Sequence, residues 1–301
     1  MKKTEVFILS GFLGSGKTTL LKRLLTHEKE EGRKVAVLMN EFGDISIDSN
    51  EVEADVPLKE LLGGCVCCTI QDKLEGQLQS LLIEEKPDVI YLETTGAAHP
   101  VETMDSILSP IFADKLLLKG IITVMDGKLW LERSKMSPAV GQLLIEQIRH
   151  ANMILINKQD QLTEAEKSKV TFELQSINPK AFAILTSYSK LPVQKLKDMT
   201  MQFAKETVKT TIQTLQLSSF VYHFKHTIAS DKFEAFLKEL PDTIYRIKGY
   251  VQFHQNHYPD LFQYSYGMPL MMREDMKMPL NLVFIGENID WQHIKEQLDN
   301  L

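Results

Sequence analysis

The apolar run Val6 to Ser10 leads straight into Gly11-Phe12-Leu13-Gly14-Ser15-Gly16-Lys17-Thr18, and a stretch of helical periodicity, Thr19 to Glu31, follows. This is G-x-x-x-x-G-K-[ST] set between a strand and a helix, which commits the chain to a sheet whose strand ends present a phosphate cradle. The reason lies in the backbone: glycines let consecutive N–H groups close around phosphate oxygens, and the helix N-terminus adds the positive end of its dipole. Gly11, Gly14, Ser15 and Gly16 are expected to form the cradle, Lys17 to reach the β- and γ-phosphates, and the Thr18 hydroxyl to bind Mg²⁺. An ordinary Gly-rich turn is the competing reading, and the flanking strand and helix argue against it.

Further apolar runs recur at Lys34 to Asn40, Asp88 to Leu92, Gly120 to Met125, Met153 to Ile156 and Ala181 to Leu185, with helical stretches at Asp72 to Glu85 and Thr163 to Ile177. Runs rich in Val, Ile and Leu without strict alternation suit parallel strands covered on both faces. The expected fold class is α/β, a P-loop NTPase with a doubly wound, mainly parallel sheet. The polar segment Thr207 to Gln216 reads as a linker, dividing the chain into a nucleotide-binding domain over residues 1–209 and a smaller α+β domain over 210–301. In the latter, Phe220, Tyr222 and Phe224 alternate as in a half-exposed strand, and Asp231 to Leu240 reads as a helix stopped by Pro241. Strands at Ile244 to Phe253, Leu261 to Tyr266 and Leu282 to Ile285 and a last helix from Asp290 complete a β-α-β-β-β-α order, hence a mainly antiparallel sheet. Met268, Met271, Met272, Met276 and Met278 cluster, and flexible core or interface packing is expected of them rather than a soft Cu(I) site.

Two strand ends add chemistry. Asp88 to Glu93 is an apolar strand ending in a carboxylate and running into Thr94-Thr95-Gly96. Glu93 can hold the Mg²⁺ shell or orient water, and Gly96 can offer its N–H to a γ-phosphate; a capping Glu is the plainer reading. After the strand Met153 to Ile156 stands Asn157-Lys158-Gln159-Asp160. A carboxylate there accepts from the N1–H and 2-amino group of guanine, a donor pair adenine lacks, so Asp160 is expected to select GTP over ATP.

Only three cysteines occur, Cys65, Cys67 and Cys68, preceded by Gly63-Gly64. An odd count in so short a window cannot frame a disulfide-stapled fold and points to a reducing compartment. A tight backbone can place two or three thiolates on one ion, Zn²⁺ first and Co²⁺ next, with redox and packing roles as alternatives. A fourth ligand could come from water, Glu41, Asp44 or His99. Lys plus Arg number 34 against 40 Asp plus Glu, a net charge of −6, so the basic footprint of a general nucleic-acid binder is absent. No apolar stretch nears the roughly 18 residues of a membrane helix. Glu5 interrupts the apolar run after Met1-Lys2-Lys3, so a soluble, cytoplasmic protein is expected.

Taken together, Gly11 to Thr19, Asn40-Glu41-Phe42-Gly43, Asp48, Gly63 to Cys68, Glu93 to Pro100 and Asn157 to Asp160 resemble the CobW-type family of P-loop GTPases in order and spacing. These are proposed metallochaperones and metal insertases related to the urease and hydrogenase nickel accessory GTPases. Arg246-Ile247-Lys248-Gly249 resembles an element of the family's C-terminal domain. The resemblance implies that Thr18 and Glu93 serve Mg²⁺ and that Thr19 joins the phosphate-binding set. It also implies that Asn40 to Asp48 form a switch answering the γ-phosphate, with Asp48 beside Lys17 and Glu93 in the catalytic set, and that Cys65, Cys67 and Cys68 hold the transition metal. Metal affinity would then differ between the GTP and GDP states, and hydrolysis would release the ion to a client metalloprotein. A nucleotide- or metal-dependent dimer belongs to the same expectation. A zinc-sensing regulatory scaffold is the alternative from another class, and a P-loop small-molecule kinase a third that Asp160 disfavours.

The chain departs from the family in lacking a His-rich segment, in placing His99 before Pro100 where an acidic residue is common, and in placing Met39 before Asn40, where some relatives have a carboxylate. His223 and His226, like His254 and His257, stand three apart, which puts each pair on opposite faces of a strand and against chelation.

Overall fold

A computed structural model describes residues 2–40, 58–60, 70–96, 100–191, 196, 217–265 and 267–301. The chain divides into two compact units, Met1–Ile107 with Lys115–Met201, and Leu108–Asp114 with Gln202–Leu301. The single boundary read from the linker does not provide for Leu108–Asp114, which joins the second unit; there Asn281 Nδ2 donates to the Pro110 carbonyl at 3.2 Å.

In the first unit the strands are β1 (Thr4–Ser10), β2 (Val35–Asn40), β3 (Leu58–Glu60), β4 (Val89–Thr94), β5 (Leu116–Asp126), β6 (Met153–Asn157) and β7 (Phe182–Leu185). The helices are α1 (Lys17–Glu30), α2 (Ile70–Glu84), α3 (Pro100–Ile107), α4 (Gly127–Leu131), α5 (Pro138–Arg149) and α6 (Glu164–Ile177). The strands form one seven-stranded sheet in the order β3-β2-β4-β1-β5-β6-β7, with every pairing parallel. Both faces are covered, which explains the unbroken apolar runs. Phe7 and Leu9 of β1 pack with Leu20, Leu21, Leu24 and Leu25 of α1, whereas Ile154 and Ile156 of β6 pack with Trp130, Leu144, Ile148 and Leu174. Each such side chain contributes about 1.5–3 kcal/mol by leaving water. The expected fold class is the one observed; β3, α3, α4 and α5 are additions to the elements read from sequence. Parallel register brings functional strand ends to one edge: Leu9 pairs with Glu93, and Asp126 with Asn157.

The second unit holds β8 (Leu217–His223), α7 (Ser230–Lys238), β9 (Ile244–Val251), β10 (Asp260–Ser265), β11 (Met268–Arg273), β12 (Asn281–Glu287) and α8 (Trp291–Asp299). Its sheet is antiparallel, in the order β11-β10-β9-β12-β8. Phe233, Phe236, Phe262, Phe284 and Trp291 form its core, with Phe233 and Phe262 edge to face at 5.0 Å. Of the core or interface packing expected of the methionines, the core half is corrected: Met268, Met271 and Met272 lie on the extra edge strand β11, exposed at every residue, and Met276 beyond it is exposed as well. His254 Nδ1 lies 2.7 Å from the Thr227 hydroxyl and His257 stacks edge-on against Tyr258. Among the described residues no group of three or more His, Cys, Asp and Glu could hold a metal ion, and no helix is long and apolar enough to cross a membrane.

Candidate nucleotide site

The turn between β1 and α1 is built on glycine at positions where nothing else fits. Gly11 has φ +134°, and a Cβ there would stand 2.1 Å from the Val124 carbonyl oxygen. Gly16 caps α1 with φ +112°, and its Cβ would stand 2.5 Å from Asn157 Nδ2. Gly14 is also left-handed, at φ +69°, but faces open space. Ser15 is buried, and its N–H donates to the Phe12 carbonyl at 3.2 Å, closing the loop on itself. Lys17 is only 8% exposed, and its Nζ donates to the Gly11 and Phe12 carbonyls at 2.9 and 3.3 Å. The ammonium therefore crosses the cradle it would share with a phosphate. Thr19 is exposed on the first turn of α1.

At the end of β4, Glu93 is 9% exposed and accepts a hydrogen bond from the Thr18 hydroxyl at 3.2 Å. The next residue is tied back as well, since the Thr94 hydroxyl donates to the Leu9 carbonyl at 3.1 Å. Gly96 presses against the cradle so closely that a Cβ would stand 2.6 Å from Leu13 N. Its carbonyl accepts from Gln147 Nε2 of α5 at 3.1 Å.

At the end of β6, Asn157 is 3% exposed and its amide is fully engaged: Nδ2 donates to the Ser15 carbonyl at 2.8 Å and to Ser189 Oγ at 3.1 Å, and Oδ1 accepts from Ser189 N–H at 2.9 Å. Ser189 Oγ in turn donates to the Gly16 carbonyl at 2.9 Å. Asn157 thus braces the cradle against the loop after β7. Lys158, at φ +58°, pairs with Asp126 Oδ2 at 2.7 Å, while Asp126 also caps α4. Asp160 is exposed, and a hydrogen bond from the Ser187 side chain, then one from its own backbone, hold its carboxyl below the usual range. Arg23 Nε donates to the Tyr188 carbonyl at 2.9 Å, pinning the same loop to α1.

The structure therefore brings Gly11, Gly14, Ser15, Gly16, Lys17, Thr18, Glu93, Gly96, Asn157, Lys158 and Asp160 to one edge of the sheet. Asp48, Cys65, Cys67 and Cys68, and the fourth-ligand candidates Glu41, Asp44 and His99, lie outside the described residues. Sequence reasoning missed Asp126, Gln147, Ser187 and Ser189. The polar Thr186-Ser187-Tyr188-Ser189 run after an apolar strand hinted only at Ser187 and Ser189.

Residues 5–184 match the CobW/HypB/UreG nucleotide-binding domain, and residues 217–301 match the cobalamin synthesis protein cobW C-terminal domain. The zinc chaperone YeiR of Escherichia coli is 35% identical over 167 residues, 55% of this chain and 50% of YeiR. The zinc-regulated GTPase metalloprotein activator 1 of Dictyostelium discoideum is 30% identical over 233 residues, 65% of this chain and 48% of that protein. The chain thus spans about half the length of these two relatives. The zinc chaperone YjiA of Escherichia coli is 27% identical over 321 residues, and the match covers 98% of each chain. A crystal structure of the Zn(II)-bound YjiA GTPase, 23% identical, covers 100% of this chain and 99% of its own with a TM-score of 0.51, a likeness of fold.

Proposed function

Because the chain belongs to the CobW/HypB/UreG family, we propose that it hydrolyses GTP in its first unit and is a zinc chaperone, binding the ion through Cys65, Cys67 and Cys68 and passing it to a client metalloprotein under nucleotide control. The supporting observation is the brace from Gly16 through Ser189 and Asn157 to Ser15, which joins the phosphate cradle to the loop whose Ser187 holds Asp160. A nucleotide spanning cradle and carboxylate would be gripped at both ends by groups already in place.

Lys17 would exchange the Gly11 and Phe12 carbonyls for phosphate oxygens, and with the cradle amides would stabilise the charge that develops as the γ-phosphoryl transfers. Asp160 would exchange the Ser187 donor for the N1–H and 2-amino group of guanine. The Thr18 hydroxyl and the nearly buried Glu93 carboxylate are a hard-oxygen pair that fits Mg²⁺. When bound there, Mg²⁺ supplies charge neutralisation at the phosphates. Asp48 is assigned to the switch that answers the γ-phosphate. The names of the relatives favour zinc as the cargo.

Asp160→Asn tests the nucleotide assignment. The preference for GTP over ATP in kcat/KM should fall by about two orders of magnitude or more, because one of the two carboxylate oxygens that the guanine donor pair requires becomes an NH2 donor and the charge is lost. An unchanged preference would remove Asp160 as the base reader. For the metal assignment, the double variant Cys67→Ser with Cys68→Ser should keep GTP binding and lose any response of turnover to zinc; a retained response would place the metal elsewhere.

A further inference from the structure

Helix α5 carries a residue that its packing does not explain. Gln147 is fully buried between Leu144 and Ile148 of an apolar cluster, where leucine or methionine would fill the space without a polar group. Its Oε1 has no hydrogen-bond partner among the described residues. A buried amide oxygen left unpaired costs roughly 1–3 kcal/mol. The other half of the amide is in use: Nε2 donates to the Gly96 carbonyl at 3.1 Å, and the helix is fixed behind it where the Gln147 carbonyl accepts from the Thr123 hydroxyl of β5 at 2.9 Å. Gly96 has no side chain to hold its own conformation and sits directly against Leu13 of the cradle.

We infer that Gln147 is a positioning residue: by holding the Gly96 carbonyl from the sheet side it pre-sets that backbone for a γ-phosphate, and so fixes how well the site distinguishes GTP from GDP. The inference rests on the GTP reading above. Only GTP brings a γ-phosphate to Gly96, so the ordering that Gln147 supplies in advance reduces the cost of binding GTP and leaves GDP binding untouched.

Gln147→Met, close in length but without the donor, and Gln147→Leu test this in the 301-residue chain. Affinities for GDP and for a non-hydrolysable GTP analogue are measured by competition with a fluorescent guanine nucleotide, alongside the thermal midpoint. The analogue should bind about tenfold more weakly, the order of one net hydrogen bond. GDP affinity should hold and the thermal midpoint stay level or rise, since a buried unpaired oxygen has been removed. A merely structural role would do the opposite, lowering the midpoint and weakening both nucleotides in parallel; that result, or an unchanged ratio, overturns the assignment. A wild-type chain that binds no guanine nucleotide would overturn the GTP reading itself, whereas intact binding with an intact ratio in both variants sinks only the role of Gln147.

Discussion

Gly16 sits where backbone, brace and cradle meet. It caps α1 in a left-handed conformation, and a Cβ would stand 2.5 Å from Asn157 Nδ2 and 2.7 Å from Ser189 Oγ. Gly16→Ala therefore adds backbone strain of about 1–2 kcal/mol and pushes on both brace residues. The variant should lose nucleotide binding and melt earlier; wild-type affinity in a titration would show that the brace is dispensable. Asp160 gives a pH expectation. Its carboxyl titrates below the ordinary value of 3.8, so its ionised form is complete above that value and is lost only as pH falls through the lowered one. The ratio of GTP to ATP affinity, in which phosphate titration cancels, should stay constant between about pH 7 and pH 5; a ratio that collapses in that window contradicts the assignment. The placement of Lys17 and Thr18 after β1, and of Asp160 after β6, was legible because each motif runs from one apolar strand into one turn. The contacts of Gln147 and Ser189 were not, because they exist only once α5 and the loop after β7 have packed against residues far off in sequence.

Among the elements, α1 and β4 are linked by a polar network at the amino end of the sheet, away from the cradle. The Tyr91 hydroxyl of β4 donates to Glu28 Oε1 of α1 at 2.6 Å, and Arg33 pairs with Glu28 at 3.2 Å and with Glu5. Burial, and then the Glu28 charge, push the Tyr91 hydroxyl well above its usual titration range, so it stays a donor at working pH. Tyr91→Phe leaves the buried Glu28 short of a partner and should cost about 1–3 kcal/mol, read as a lower thermal midpoint with nucleotide affinity unchanged. An equal loss of nucleotide affinity would mean that the network shapes the cradle. The strands of the large sheet were legible as apolar runs because both faces are covered. β3 is only three residues long, too short to show a period, and β11 is exposed on every residue, so no buried face imposes a period on its sequence.

At the scale of the whole molecule, two units with separate cores carry the two family domains, and the expected fold class holds for both. GTP with Mg²⁺ should stabilise the first unit by about 2.7 kcal/mol at a hundredfold excess over Kd, seen in calorimetry as a shift confined to one transition. The partner proposed is a client metalloprotein, and a net charge of −6 sets the sign of the field in which the two would meet. The cysteine segment lies outside the described residues, and its metal role rests on the proposal alone, since three thiols in four residues offer a ligand set without fixing where it sits. Whether the nucleotide governs the metal is tested most directly by zinc affinity, measured by competition with a chelator on one anaerobic preparation loaded in turn with a GTP analogue and with GDP. Control of the cargo by hydrolysis requires affinities that differ by about fivefold or more, with zinc shifting the GTP to GDP affinity ratio by the same factor; equal zinc affinity in the two states would contradict it.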